Sequence, residues 1–125
     1  GNQTVPTATV RLRKAATGRA KKDTVLEDAG VGDGPVDAAL KAIDRLTETR
    51  GRLKDYALRG VSQGKDALGE VSLKVDFGDG ELVTGKGAST DVIEASAKAY
   101  LNAVNRHLNS RSRKKPARKK TKGQP

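Results

Sequence analysis

The sequence predicts an α+β domain of two layers, in which a strand-strand-helix unit occurs twice and two helices pack on antiparallel strands. Three observations carry this. Short runs alternate apolar and polar residues, the period of a half-buried strand. Two other segments repeat their apolar residues at helical spacing. Each helical segment is introduced by glycines at every second position: Gly30, Gly32 and Gly34 in "GVGDGPVDAALKAI", Gly85 and Gly87 in "GKGASTDVIEASAKAY".

In chain order, "TATVRLR" is the first strand, with Ala8, Val10 and Leu12 facing one way and Thr9, Arg11 and Arg13 the other. Across the loop "KAATGRA", "KKDTVLEDAGVG" is the returning strand. The first helix has Gly34 as cap and Pro35 at its first position, where a missing N–H is no loss. Its stripe is Val36, Leu40, Ile43 and Thr47. "LKDYALRGVS", residues 53–62, reads as one more strand. "VSLKVDF" places Val71, Leu73, Val75 and Phe77 on one face, Asp79-Gly80 suits a hairpin turn, and "ELVTGKG" returns. In the second helix Ile93, Ala97, Tyr100, Val104 and Leu108 form the stripe, and Asp91 with Glu94 makes a capping pattern at its start.

The repeat is visible by sliding the chain on itself. A shift of 57 lays "VDAALKAI" on "IEASAKAY", a shift of 55 superposes Gly30 and Gly32 on Gly85 and Gly87, and a shift of 61 lays "VRLR" on "VSLK". Such units cover each other's apolar faces. The strand over 53–62 has no twin ahead of Gly1, so the first strand of the first unit is expected to lie upstream of this stretch.

At 125 residues the chain is one domain at most, with a thin core. The only aromatics, Tyr56, Phe77 and Tyr100, should each mark a packing centre or a pocket wall. No apolar run approaches the roughly 18 residues of a membrane span, and no signal-peptide pattern opens the chain, so a soluble cytoplasmic protein is expected. The absence of cysteine excludes disulfides, thiol nucleophiles and zinc fingers. The net charge of +10 is unevenly spread: "RSRKKPARKKTKGQP", residues 111–125, holds eight Lys/Arg and no acid, leaving a balance of +2 before it. The reading is therefore a folded domain over 1–109 and a disordered basic tail over 110–125.

Enzymatic readings fare badly. The lone histidine, His107, reads as a solvated residue at the end of the second helix, and there is no metal-ligand pair or P-loop. "GVGDGP" departs from a dinucleotide loop in the position of its third glycine and in lacking an acidic ribose reader. Binding fits better. Glycines at a strand end bare the backbone, and a helix start offers unpaired N–H groups to a small carboxylate. Asp33, between two glycines, is a counter-charge for an ammonium group, so the loop suits both ends of an amino acid, although Gly-Asp-Gly-Pro is also an ordinary turn and cap.

The blocks "GDGPVDAALKAIDRLT", "DYALRGVSQGKDALGEVSLKV" and "GKGASTDVIEASAKAYLNAVNR" closely resemble the C-terminal regulatory domain of 2-isopropylmalate synthase, over residues 1 to about 108. The resemblance implies a duplicated α+β regulatory domain that forms a homodimer and binds L-leucine as feedback inhibitor. The catalytic partner domain of that family, a metal-dependent TIM barrel, has no counterpart in these residues, so no catalytic residue, metal or cofactor is expected on this chain. Carried over by position, the effector site falls on Gly32, Asp33 and Gly34, then Leu53, Tyr56 and Gly60, then Ala67, with Ser89, Thr90 and Asp91 from the second unit. Leu53 and Tyr56 lie three apart, so in a regular strand they face opposite ways, and only a bulge would bring both to one pocket.

Two other readings make different expectations. A citramalate synthase regulatory domain would answer to L-isoleucine, a choice set by a few apolar walls. A nucleic-acid module would use the basic tail, without stacking aromatics and therefore without specificity.

Overall fold

The computed structural model describes residues 7–15 and 24–122. The loop "KAATGRA" beyond Ala15, the start of the second strand at 21–23 and the chain before Thr7 lie outside the described residues. Seven elements follow in order: β1 (Thr7–Lys14), β2 (Thr24–Val31), α1 (Pro35–Thr47), β3 (Arg52–Gln63), β4 (Asp66–Asp76), β5 (Leu82–Ser89) and α2 (Val92–Lys122). β1 and β2 form an antiparallel pair, and β3-β4-β5 an antiparallel meander. α1 covers the first sheet, α2 covers β4 and β5, and the helices meet each other. This is the expected two-layer α+β arrangement.

The alternating glycines hold the layers close. A Cβ on Gly30 would strike the Ala38 carbonyl and the Ala42 backbone, and one on Gly85 would strike the Ala99 carbonyl and the Ala103 backbone. Gly32 meets Asp37 and Ala38 in the same way, and Gly87 meets Ala95, Lys98 and Ala99. Glycine facing alanine lets strand and helix approach without side chains between them, so the backbone at Gly30 and Gly32 is covered by α1 instead of lying bare. The helix repeat keeps its shift of 57: α1 opens after Gly34 and α2 after Asp91, and their first helical bonds, Ala38 N–H to the Gly34 carbonyl and Ala95 N–H to the Asp91 carbonyl, correspond at that distance.

The core is small and rich in alanine; its largest fully buried side chains are Tyr100, Ile43, Leu73, Val71, Val75 and Val104. α1 keeps its expected stripe and cap: Ala38 N–H donates to the Gly34 carbonyl at 2.9 Å, and the helix closes on Glu48 in the left-handed region. α2 keeps Tyr100 and Val104 of its expected stripe and departs from it at the ends. Its buried face is Ala95, Ser96, Ala99, Tyr100, Ala103, Val104 and His107, while Ile93 and Leu108 stay more than a third exposed. Close contact with the β5 glycines selects the small residues, which a search for large apolar side chains passes over. His107 is buried too, stacked on Phe77 with ring centroids 4.3 Å apart, and its Nδ1 is 3.7 Å from Asp79 Oδ2 in the β4–β5 turn. It is therefore a core residue and not a solvated one. At the start of α2, Ile93 N–H donates to Asp91 Oδ1 at 2.9 Å, so Asp91 caps the helix. Glu94 instead pairs with Lys98 at 3.1 Å, since the Asp91 N–H is taken by Ser89 Oγ. Helical backbone continues to Lys122, through much of the stretch the sequence left unstructured.

Candidate functional site

A cavity of about 480 Å³ opens between α1 and the start of β3, where the two units join. Val36, Leu40 and Leu53 give it an apolar wall, Tyr56 and Tyr100 bound it, and Asp37, Lys41 and Asp44 bring charge along one side of α1. The volume falls within the usual range for small-molecule sites, as does the mix of apolar wall and few polar groups.

β3 reaches this cavity through an irregularity. The ladder pairs Leu53 with Val75 and then Asp55 with Lys74, so Lys54 is an extra residue on the β3 side. A bulge of this kind resets the alternation of faces. Leu53 and Tyr56 therefore both line the cavity, which is the condition the sequence set for them. Tyr56 is fixed further by a 2.7 Å hydrogen bond between its hydroxyl and Ser96 Oγ, and Ser96 donates to the Val92 carbonyl inside α2.

The floor is a polar knot at Asp44. Asp44 Oδ1 accepts the Tyr100 hydroxyl at 2.6 Å and Thr49 Oγ1 at 2.8 Å, and Oδ2 accepts the Gly51 N–H at 3.2 Å. Burial pushes the Tyr100 hydroxyl well above the ordinary phenol range, and the hydrogen bond to Asp44 with its charge adds to the rise. Gly51 is required there, because a Cβ would collide with the Tyr100 hydroxyl. Asp37 is held below the usual carboxylate range, first by the Asp33 N–H, which donates to its Oδ2 at 2.9 Å, and then by Lys41 at 3.2 Å. A second, more open hollow lined by Arg45, Glu48, Thr49 and Arg50 shares Lys41, Asp44 and Gly51 with the cavity.

The expected site residues are not gathered in one place within the chain. Leu53 and Tyr56 line the cavity; Gly32 and Asp33 touch it only through Asp37, and the Asp33 residue is exposed. Gly34 caps α1 with open space where a side chain would sit. Gly60 and Ala67 lie out on the β3–β4 hairpin, both exposed. Ser89 is buried at the end of β5, Thr90 is exposed, and Asp91 caps α2 beside a different hollow, bounded by β1 and Ile93, Ala97 and Leu101. Val36, Leu40, Lys41 and Asp44 were not among the expected site residues, and Tyr100 was expected only as a packing centre or a pocket wall. All but Tyr100 lie on α1, and the i, i+4, i+7 spacing of Asp37, Lys41 and Asp44 was the available signal.

The chain belongs to the family of the LeuA allosteric (dimerisation) domain, whose profile matches residues 1–108. Its relatives are enzymes that carry this domain. It is 55% identical over 104 residues to the 2-isopropylmalate synthase of Methylacidiphilum infernorum, covering 83% of this chain and 19% of that protein. It is 50% identical over 108 residues to that of Carboxydothermus hydrogenoformans, covering 86% and 20%, and 47% identical over 116 residues to that of Brevibacillus brevis, covering 93% and 21%. The chain thus spans about a fifth of the length of the curated relatives it matches. Among the described residues no helix is long and apolar enough to cross a membrane, and no cluster of acids and histidine could hold a metal ion.

Proposed function

We propose that this chain is the effector-sensing part of a 2-isopropylmalate synthase, that it binds L-leucine in the cavity between α1 and β3, and that it works as a homodimer in the cytoplasm. The observation that carries the reading is the bulge at Lys54, which turns Leu53 and Tyr56 into one pocket with Val36 and Leu40. A branched aliphatic side chain fits that wall, and the charged edge of α1 suits the two ends of an amino acid. Gly60 and Ala67 sit on a hairpin arm away from their own cavity, and in this reading the arm meets the cavity of the second subunit. The Gly32–Gly34 turn and the Ser89–Asp91 corner then frame the dimer site.

The domain itself performs no chemistry in this scheme. Leucine binds one arrangement of the domain pair better than another, and the catalytic barrels, carried elsewhere in the enzyme, respond to that difference through a coupling of about 1–3 kcal/mol. Calorimetric titration of the chain with L-leucine and L-isoleucine tests the reading. Saturable binding with preference for leucine is expected. Preference for isoleucine would move the domain to a citramalate synthase, and absence of any heat change with either would leave only a dimerisation role.

A further inference from the structure

Among the described residues, Asp44 keeps a lone-pair position that no donor fills. An ionised carboxylate offers about four lone-pair positions. Oδ1 uses two of them, on Tyr100 and Thr49, whereas among the described residues Oδ2 accepts only the Gly51 N–H. The other acid of the cavity, Asp37, is already engaged by Lys41 and by the Asp33 N–H. Asp44 forms no ion pair with a basic side chain among the described residues, although it is half-buried beside an apolar wall. A carboxylate in such a place gains most from a cation that brings its own N–H donors.

We infer that Asp44, through Oδ2, receives the ammonium group of the amino-acid effector, a role that the sequence alone assigned to Asp33. The inference rests on the cavity being the effector site. The three donors that hold Asp44 come from α2, from the loop after α1 and from the entry to β3, so the charge is positioned before the ligand arrives. Lys41, one turn back on α1, lines the same cavity and keeps donors free for the carboxylate end beyond its bond to Asp37.

Calorimetry on the full chain separates the possibilities, with L-leucine, 4-methylpentanoate (carboxylate without ammonium) and 3-methylbutylamine (ammonium without carboxylate) as probes. In Asp44→Asn the affinity for leucine is expected to fall at least tenfold, and the preference for leucine over 4-methylpentanoate to vanish, with far-UV circular dichroism unchanged. Should that variant fail to fold, the 13C resonance of the Asp44 carboxyl in labelled wild-type chain is expected to move on adding leucine or 3-methylbutylamine and to stay still with 4-methylpentanoate. Leucine affinity within twofold of wild type in Asp44→Asn, or a fall in Asp33→Ala alone, overturns the assignment to Asp44 while leaving the cavity in place. Leucine binding that survives Leu53→Asp unchanged overturns the cavity reading, and this assignment with it.

Discussion

Tyr100 reaches from α2 to Asp44 on α1, where the start of β3 also joins through the Gly51 N–H. Its raised phenol makes stability depend on alkaline pH in a definite direction. The folded state holds the proton more tightly than the unfolded chain, whose tyrosines titrate near about 10, so the contribution is complete below that pH and is lost as pH rises past it. Urea denaturation is expected to show wild type weakening steeply above about pH 10 and Tyr100→Phe weakening less. At neutral pH the same variant should be about 1–2 kcal/mol less stable, because it leaves Asp44 a donor short in a half-buried place. At the acid end Asp37 works in the opposite sense. Its lowered pKa supports the fold above the ordinary carboxylate value and gives way as the pH falls through it. Asp37 is exposed enough for solvent to screen most of that contribution, so its loss should be slight.

Strand and helix are joined through glycine and alanine, and the consequence for substitution is sharply positional. A methyl at Gly85 would drive into the Ala99 carbonyl, and Gly85→Ala should cost about 1–3 kcal/mol by forcing β5 away from α2. Gly60 has nothing within 4 Å of the same methyl, and Gly60→Ala should stay within about 0.5–1 kcal/mol of wild type, on the stabilising side. Thermal melts of the two variants side by side check the contrast. Element identity was legible in the sequence for a related reason: the period of Val71, Leu73 and Val75, the turn at Asp79-Gly80 and the proline opening α1 are local signals, and local forces decide them. Of the face that α2 buries, Tyr100 and Val104 were legible in the sequence and the small residues around them were not. Their choice follows from how near β5 lies, and no residue of α2 encodes that distance. The same limit applied to His107, whose burial depends on Phe77 and on a turn 28 positions upstream.

Taken whole, the molecule is two units of unequal size, a two-stranded sheet under α1 and a three-stranded one under α2, with the cavity at their seam. A ligand there touches both units, through α1 on one side and through β3 and Tyr100 on the other. Occupancy should therefore tie the units together and raise global stability. With leucine at a hundred times its Kd the gain is about 2.7 kcal/mol, provided that only the folded form binds. A scanning-calorimetry midpoint that climbs with leucine concentration, and climbs less for Asp44→Asn, is the expected result. The candidate site was half legible. Leu53 and Tyr56 could be named from resemblance, but Val36 and Leu40 read only as the apolar stripe of α1, and Lys41 and Asp44 as ordinary helix-surface residues, until the tertiary fold brings β3 across from them.

The extra residue at Lys54 gives this pocket an unusual vulnerability. Most binding surfaces change gradually, one side chain at a time, and tolerate a conservative exchange. Here the aliphatic and aromatic halves of the wall share a side only because the chain is one unit out of step at that point. Removing a single codon would restore the regular pleat, swing one of the pair to the opposite face and, on the proposed function, abolish effector binding, with every residue that lines the hollow still present in the polypeptide.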